Sequence, residues 1–443
     1  MTRHKPLILL SAIFTVLLYS TQFTAWPEML VWPYLHQGGF AYYSNIFVVY
    51  PPLLLSILSL VSSNHWDVTM LQLITTAVLL FNLSLFVTEL RKRHSSLKLL
   101  IFVSFLLIIW QIRYEANGLW FDHLLTPLLF ITYSMIYRGR LLLASIFFSF
   151  AILTKQTAVV MLIPIMYSLN SSRQFLRFIL LSGFLAIAGY LLMIPTESWL
   201  TAVQQNLLFP IQHMASHSGQ RQLPQLNQLI LFLLPIVMLA VSFFAQRQKS
   251  SKIPRQHREL MVWYLFSLIG IWPRFELFHV LPSLNFLLLL LFLLLTNIKI
   301  ITCRRLIITI LSITSLLVFL EYYHDYRALP PRFIEQTIIS ESQHITNIVG
   351  DETIFTTNSW DHWYYLINKY PNIDFIYPST PLYYDYPGVQ ELTVSKLLDS
   401  QPVYILLGSN SAPQLILNYI DNYYVLHEEI DSQTFLYRKS HDN

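Results

Sequence analysis

Eleven apolar segments separated by short runs of Lys and Arg limit what this chain can fold into more than any other feature. They cover roughly 7–25, 67–88, 97–112, 121–137, 141–154, 158–169, 175–195, 226–245, 259–272, 277–296 and 306–320. In lipid each backbone polar group needs an internal partner, so apolar runs of this kind are expected to be helices. Several are shorter than the roughly 20 residues a perpendicular span requires, so their ends are soft. Composition agrees: 54% of the 443 residues are hydrophobic, 12% are charged, and mean hydropathy is +0.50, values of a membrane protein.

The charges give the orientation. With the N-terminus inside, the runs at 91–98, 138–140, 173–177, 247–258 and 299–305 all fall on the inner side. The outer loops before the tail hold only Arg113, Lys155, Arg221 and Arg274. The positive-inside rule then predicts N-in, C-out. The net charge of +4 therefore reflects orientation and gives no reason to expect nucleic-acid binding. Cys303 is the single cysteine, which excludes an intramolecular disulfide and a cysteine-based zinc site. Arg3 to Leu18 could pass for the start of a signal peptide. Phe23 stands where cleavage needs a small residue, so the segment reads as an uncleaved first transmembrane helix.

Two stretches need a decision. Pro51 to Ser63 is apolar, opens with Pro-Pro and is too short to span, so it reads as an interfacial or re-entrant helix. Leu141 to Leu169 could be one tilted helix with Lys155 at its middle, but burying an ammonium costs about 2.5–3.5 kcal/mol. A hairpin that lifts Lys155 to the outer surface is the expectation.

From about Glu321 the character changes. Residues 321–443 hold sixteen Asp and Glu against six Lys and Arg, with no segment able to span. Strand-like Thr353–Thr357, Asp374–Pro378 and Val403–Leu407 alternate with helix-like Trp360–Lys369 and Leu392–Leu398. The expected architecture is an α-helical polytopic membrane domain over 1–320, followed by an extracytoplasmic α/β domain over 321–443 with some parallel strands.

Ionisable groups are rare in the membrane part, so those at outer helix ends are functional candidates. The stretch Ala25 to Pro52 has no Lys or Arg and one acid, Glu28, among Trp26, Trp32, Tyr34, Tyr42, Tyr43 and Tyr50. It reads as an acid-bearing loop lying on the outer interface. The next outer loop carries Arg113, Glu115 and Asp122, with Asn117-Gly118 breaking the helix between the two acids. An interfacial Arg113–Glu115 ion pair is the plainer reading there. Lys155-Gln156 could reach lipid headgroups or a phosphate. In Ile271-Trp-Pro-Arg-Phe-Glu-Leu-Phe-His279, Pro273 suits a first helical position, which would make the helix start beside Arg274 an anion site. His279 follows Glu276 by three residues on the same face, and Pro282 would kink the helix. His213 and His217 have i,i+4 spacing but no third ligand nearby, so no metal is expected there. Asp361 and His362 read as fold or acceptor contacts.

In their order along the chain, these features resemble the GT-C superfamily of polyprenyl-phosphate-sugar-dependent glycosyltransferases. The resemblance is to the branch of protein O-mannosyltransferases and lipid A aminoarabinose transferases. It rests on Glu28 after an N-in helix, Tyr50-Pro-Pro-Leu-Leu, Glu115 and Asp122, Lys155-Gln-Thr-Ala158, Pro-Arg-Phe-Glu-Leu-Phe-His279 and an outer C-terminal domain. The family's first-loop acid is usually Asp, often beside a second acid, whereas this chain has Glu28 alone. The resemblance implies sugar transfer from a polyprenyl-phosphate donor to a glycan, lipid or protein hydroxyl on the outer face of the plasma membrane, with inversion. It implies Glu28 as general base, Glu115 or Asp122 placing acceptor or sugar or serving as base instead, and Lys155, Arg274 and His279 on the donor phosphate. No metal or other cofactor is expected. A transporter or lipid flippase is the rival reading, but it predicts inverted repeats and charges near mid-membrane, and neither is visible.

Overall fold

The structure, a computed structural model, describes residues 5–62, 66–93, 96–214, 222–247, 254–272, 274–298, 301–357, 362–373, 384, 386–408 and 412–440. In chain order the first helices are α1 (Lys5–Ser20), α2 (Pro27–Gln37), α3 (Leu53–Ser62), α4 (Val68–Arg93) and α5 (Leu97–Arg113). Then come α6 (Phe121–Tyr137), α7 (Leu141–Thr154), α8 (Leu162–Ser168), α9 (Ser172–Met193) and α10 (Trp199–Val203). The last of the membrane part are α11 (Leu226–Arg247), α12 (Arg255–Ser267), α13 (Leu281–Asn297) and α14 (Ile301–Tyr326). Among its described residues the tail holds α15 (Gln336–Val349), α16 (Trp363–Leu366), α17 (Val389–Ser400) and α18 (Gln414–Tyr423) with four strands.

Among the described residues, five stretches are helical, long and apolar enough to cross a membrane: Val68–Arg93, Ser172–Met193, Leu226–Phe244, Leu277–Asn297 and Ile301–Tyr326. α3, with 10 residues, reaches only about 15 Å, which agrees with an interfacial or re-entrant element. Two compact units emerge. The first comprises Met1–Phe23, Gln72–Gly189 and Gln222–Leu329; the second comprises Thr24–Leu71, Tyr190–Arg221 and Pro330–Asn443. Position 320/321 lies inside α14, and the last segment of the second unit starts at Pro330.

In the first unit α13 is the central post. Leu281 to Leu295 are all buried, and the helix packs against α5, α6, α11 and α12. An all-round apolar helix needs such a position, because no face of it is suited to water. Pro282 sits in its first turn, where the missing N–H costs nothing. It therefore starts the helix and does not kink it. α9 buries a narrow stripe, Phe178, Ser182 and Ala186, and α14 buries Ile307, Leu311 and Ser315, with Tyr322 two turns further on. The four-residue spacing is one helix face each, and the apolar remainder suits lipid.

Polar pairs pin this apolar bundle. Asn82 and Asn285 exchange side-chain hydrogen bonds at 2.7 and 3.4 Å, both fully buried. Glu89, 4% exposed, accepts from Arg93 at 2.7 Å, from Ser134 Oγ at 2.7 Å and from Arg138. The Arg93 guanidinium lies over the Tyr137 ring at 4.3 Å. A carboxylate this deep is tolerable because its lone pairs are taken.

In the second unit the strands β1 (Ile354–Thr357), β2 (Tyr404–Gly408), β3 (Tyr424–Asp431) and β4 (Thr434–Lys439) form a sheet of order β1-β2-β4-β3. β1 and β2 are parallel, with Ile354 opposite Tyr404; the other pairs are antiparallel. Phe355, Ile405 and Leu407 pack with α17 and α18 on one face, while Ile354, Tyr404 and Leu406 pack with α15 and α16 on the other. Burial on both faces explains why β2 reads as an unbroken apolar run. The expected strand at Asp374–Pro378 lies outside the described residues.

The stretch expected to lie as a loop on the membrane is built into this unit. It contains a helix, α2, and Trp32, Tyr34 and Tyr43 are buried within the protein. Tyr34 stacks on Tyr370 at 4.8 Å and meets Tyr365 edge-on at 5.8 Å. Trp26 lies 5.7 Å from Phe333, and Phe47 joins the core beneath α17 and α18. Gln205 holds the stretch by accepting Val48 N–H at 2.9 Å and donating to Tyr43 O at 3.1 Å. Much of the aromatic content expected to anchor at the interface is packing between the 25–52 stretch and the tail.

Candidate active site

The site residues of the first unit begin where α5 ends. Ala116 N–H reaches back to Gln111 O at 3.2 Å, and Glu115 adopts a left-handed φ of 57°. Glycine usually holds this helix-ending position, and a non-glycine there is strained by about 1–2 kcal/mol. Asn117 then places its amide nitrogen 2.8 Å from Leu18 O and 3.0 Å from Gln22 O. That amide ties the loop between α5 and α6 to the end of α1. His123 receives Trp120 N–H on Nδ1 and donates from Nε2 to Ala116 O, both at 3.0 Å. Its hydrogen bonds close the loop, so the imidazole beside Asp122 in sequence is structural.

Asp122 lies in the first turn of α6, an end that favours a negative charge. It is 1% exposed. Lys155 Nζ reaches both of its oxygens, at 2.9 and 2.7 Å, and His279 Nδ1 donates to Oδ2 at 2.7 Å. The break expected at Lys155 is found: α7 stops at Thr154, and Lys155 is extended at φ −152°, ψ 128°. The side chain does not rise to the surface, however. It is 7% exposed and paired with Asp122. A carboxylate with two oxygens in reach removes the penalty that made burial look unfavourable.

The helix start expected at Pro273 lies outside the described residues. Arg274 itself forms an extended bridge with Gln222, and Phe275 N–H donates to Gln222 O at 3.1 Å. The helical turn begins only at Leu277. The group here suited to an anion is therefore the guanidinium, since the described helical turn starts three residues further on. Arg274 is 42% exposed and Nη2 lies 2.5 Å from Glu276 Oε1. Glu276, 20% exposed, places Oε2 3.7 Å from His279 Nε2. Burial raises the Glu276 carboxyl above its ordinary range, with Glu115 and Asp122 adding repulsion and Arg274 opposing them. Phe278 packs edge-on to His279 at 4.3 Å and to Trp120 at 6.0 Å, walling the imidazole. The Arg113 guanidinium lies 5.7 Å from the ring of Tyr322.

The structure thus joins Asp122, Lys155 and His279 directly, adds Arg274 through Glu276, and sets Glu115 in electrostatic reach of Glu276. Glu28 belongs to the second unit, half-buried in the first turn of α2. Sequence reasoning treated Glu276 only as a spacing mark for His279. Its place two residues from Arg274 and three from His279 was the available signal. His362 is buried and its Nε2 bonds Phe333 O at 3.1 Å, a fold contact as expected. Asp361, His217 and the side chain of His213 lie outside the described residues. Among the described residues no three His, Cys, Asp or Glu side chains are grouped to hold a metal ion.

No protein-family model and no curated protein matches the chain. Solved structures do. The crystal structure of ArnT from Cupriavidus metallidurans bound to undecaprenyl phosphate matches with a TM-score of 0.62 at 10% identity, covering 100% of this chain and 99% of that one. Its apo state gives 0.62 at 12% identity over 97% of each chain. The apo Archaeoglobus fulgidus oligosaccharyltransferase gives 0.57 at 10% identity, covering 100% of this chain and 75% of that one. The chain has the fold of these membrane proteins, which is the fold that the GT-C resemblance implied.

Proposed function

We propose that this protein is an integral-membrane glycosyltransferase that moves a sugar from a polyprenyl-phosphate donor to an acceptor hydroxyl on the outer face. The observation that carries the reading is the cluster of Arg274, Lys155 and His279, joined through Glu276 and Asp122, in a fold that holds undecaprenyl phosphate in the Cupriavidus neighbour. A lipid-linked sugar departs as a phosphate anion, so no general acid is required. Cations stabilise that anion as the bond from the sugar C1 to the phosphate oxygen breaks. The acceptor oxygen forms the new bond at C1 from the opposite side, inverting it, while one carboxylate takes the hydroxyl proton.

Asp122 is poorly suited to be that base, because Lys155 and His279 already engage both of its oxygens. Its role in this reading is to hold those two groups in place. Glu28 is the assigned base, with Glu115 as the alternative. Release of free polyprenyl phosphate from short-chain polyprenyl-phosphate sugars by purified protein tests the proposal. Loss of release in Glu28→Gln and Arg274→Ala supports it. Absence of release from folded wild type offered sugars and acceptors contradicts it.

A further inference from the structure

Across the first unit's site basic and acidic side chains alternate in the order Lys155, Asp122, His279, Glu276, Arg274, the imidazole being neutral. The two acids are held very differently. Asp122 is sealed from solvent, and its oxygens are shared by Lys155 and His279. Glu276 has one oxygen on a half-exposed guanidinium and the other 3.7 Å from His279 Nε2. Since His279 Nδ1 donates to Asp122, Nε2 of the neutral ring is an acceptor. Two acceptors then face each other, and one added proton would turn that contact into a hydrogen bond.

We propose that Glu276 occupies the donor-phosphate position on Arg274 in the ligand-free protein and is displaced from it when phosphate binds. The inference rests on the reading of Arg274 as a phosphate-binding residue. A phosphodiester monoanion replaces a carboxylate on Arg274, and Glu276 takes one proton from solvent, shared between Oε2 and His279 Nε2. The charge of the protein-plus-ligand cluster is then what the protein alone carried before. The groups facing Glu276 are Arg274, His279, Glu115 from the loop after α5, and Asp122 on α6. Arg274 favours the ionised carboxylate against burial and the two neighbouring acids. Engaging Arg274 with phosphate removes that support, so proton uptake follows. Such an exchange would keep a cationic site neutral and unavailable to stray anions until a lipid phosphate arrives.

The test is calorimetric binding of decaprenyl methyl phosphate, a diester that does not titrate near neutrality, to the full-length protein in detergent. Two buffers of different ionisation enthalpy count the protons. Wild type is expected to take up a proton and to lose affinity by up to about tenfold per pH unit as pH rises. Glu276→Gln is expected to bind more tightly at neutral pH, with no such dependence. Glu276→Asp, which keeps the acid but shortens its reach to Arg274, should bind more tightly than wild type and still take up the proton. Arg274→Ala should weaken binding by about tenfold or more. If Arg274→Ala loses binding while Glu276→Gln keeps the wild-type proton uptake, the exchange is wrong and the phosphate site stands. If wild type and Arg274→Ala bind equally, or neither binds, the phosphate site falls and the exchange with it.

Discussion

Lys155 Nζ lies 2.9 and 2.7 Å from the two carboxylate oxygens of Asp122, both groups almost wholly buried. The pair ties the start of α6 to the break after α7 and orients His279 through Asp122 Oδ2. Removing one partner strands the other charge, which typically costs about 3–5 kcal/mol. Asp122→Ala should therefore lower the unfolding midpoint in detergent sharply, while Asp122→Leu with Lys155→Met should recover most of the stability but not the activity. A double variant no more stable than the single one would show that the pair is not the source of the loss.

Glu89 offers the contrast. It meets Ser134 and Arg138 at the far end of α6, and Ser134 is about 18 Å along the helix from Asp122. Glu89→Gln weakens the hold on Arg93 and Arg138, so thermal stability should fall. Transfer per folded molecule should stay within about twofold of wild type, since the substitution touches none of the groups assigned to the phosphate. Paired melting curves and turnover numbers check this.

Gly38 has an ordinary φ of −74°, so its absent side chain matters only for space. A Cβ there would fall well inside the Tyr370 ring, which stacks on Tyr34. Gly38→Ala should therefore displace the ring and destabilise the second unit by about 1–3 kcal/mol. Gly38→Ala with Tyr370→Ala relieves the clash, so the glycine substitution should cost less in the Tyr370→Ala background than alone. Limited proteolysis of the tail reads the difference.

The Glu276 carboxyl has a raised pKa, chiefly from burial. A carboxyl shifted upward contributes stability that is present below its unfolded value and lost as pH rises through the folded value. The wild-type melting temperature should thus decline over that acid-side window by more than that of Glu276→Gln. Parallel pH profiles of the two proteins measure it, and identical slopes would contradict the assignment.

The helical membrane part could be read from the sequence because lipid forces apolar runs into helices, and the strands at 354–357 and 404–408 stood out as apolar runs between turns. The β3–β4 hairpin did not. β3 carries His427, Glu428, Glu429 and Asp431 on an exposed edge, where charge protects against unwanted pairing and hides the strand signal. At the site, rarity of charge flagged Asp122, Lys155, Arg274 and His279 one at a time. That Lys155 would be buried against Asp122, and that Glu276 would sit on Arg274, depended on pairings across 33 positions in one case and 2 in the other. Only the short-range pair left a spacing to notice. The aromatics around Glu28 looked interfacial because amphipathic rings serve equally in a bilayer surface and in a packed contact with a domain far along the chain.

The central claim is that the cationic cluster holds the phosphate of a lipid-linked sugar. The most direct measurement is mass-spectrometric detection of free polyprenyl phosphate released from a panel of short-chain polyprenyl-phosphate sugars. It compares wild type with Arg274→Ala, Glu28→Gln and Glu115→Gln, each shown to be folded. Release by wild type, its loss in Arg274→Ala and Glu28→Gln, and its retention in Glu115→Gln are expected. Release undiminished in Arg274→Ala, or no release by wild type from any donor, would contradict the claim.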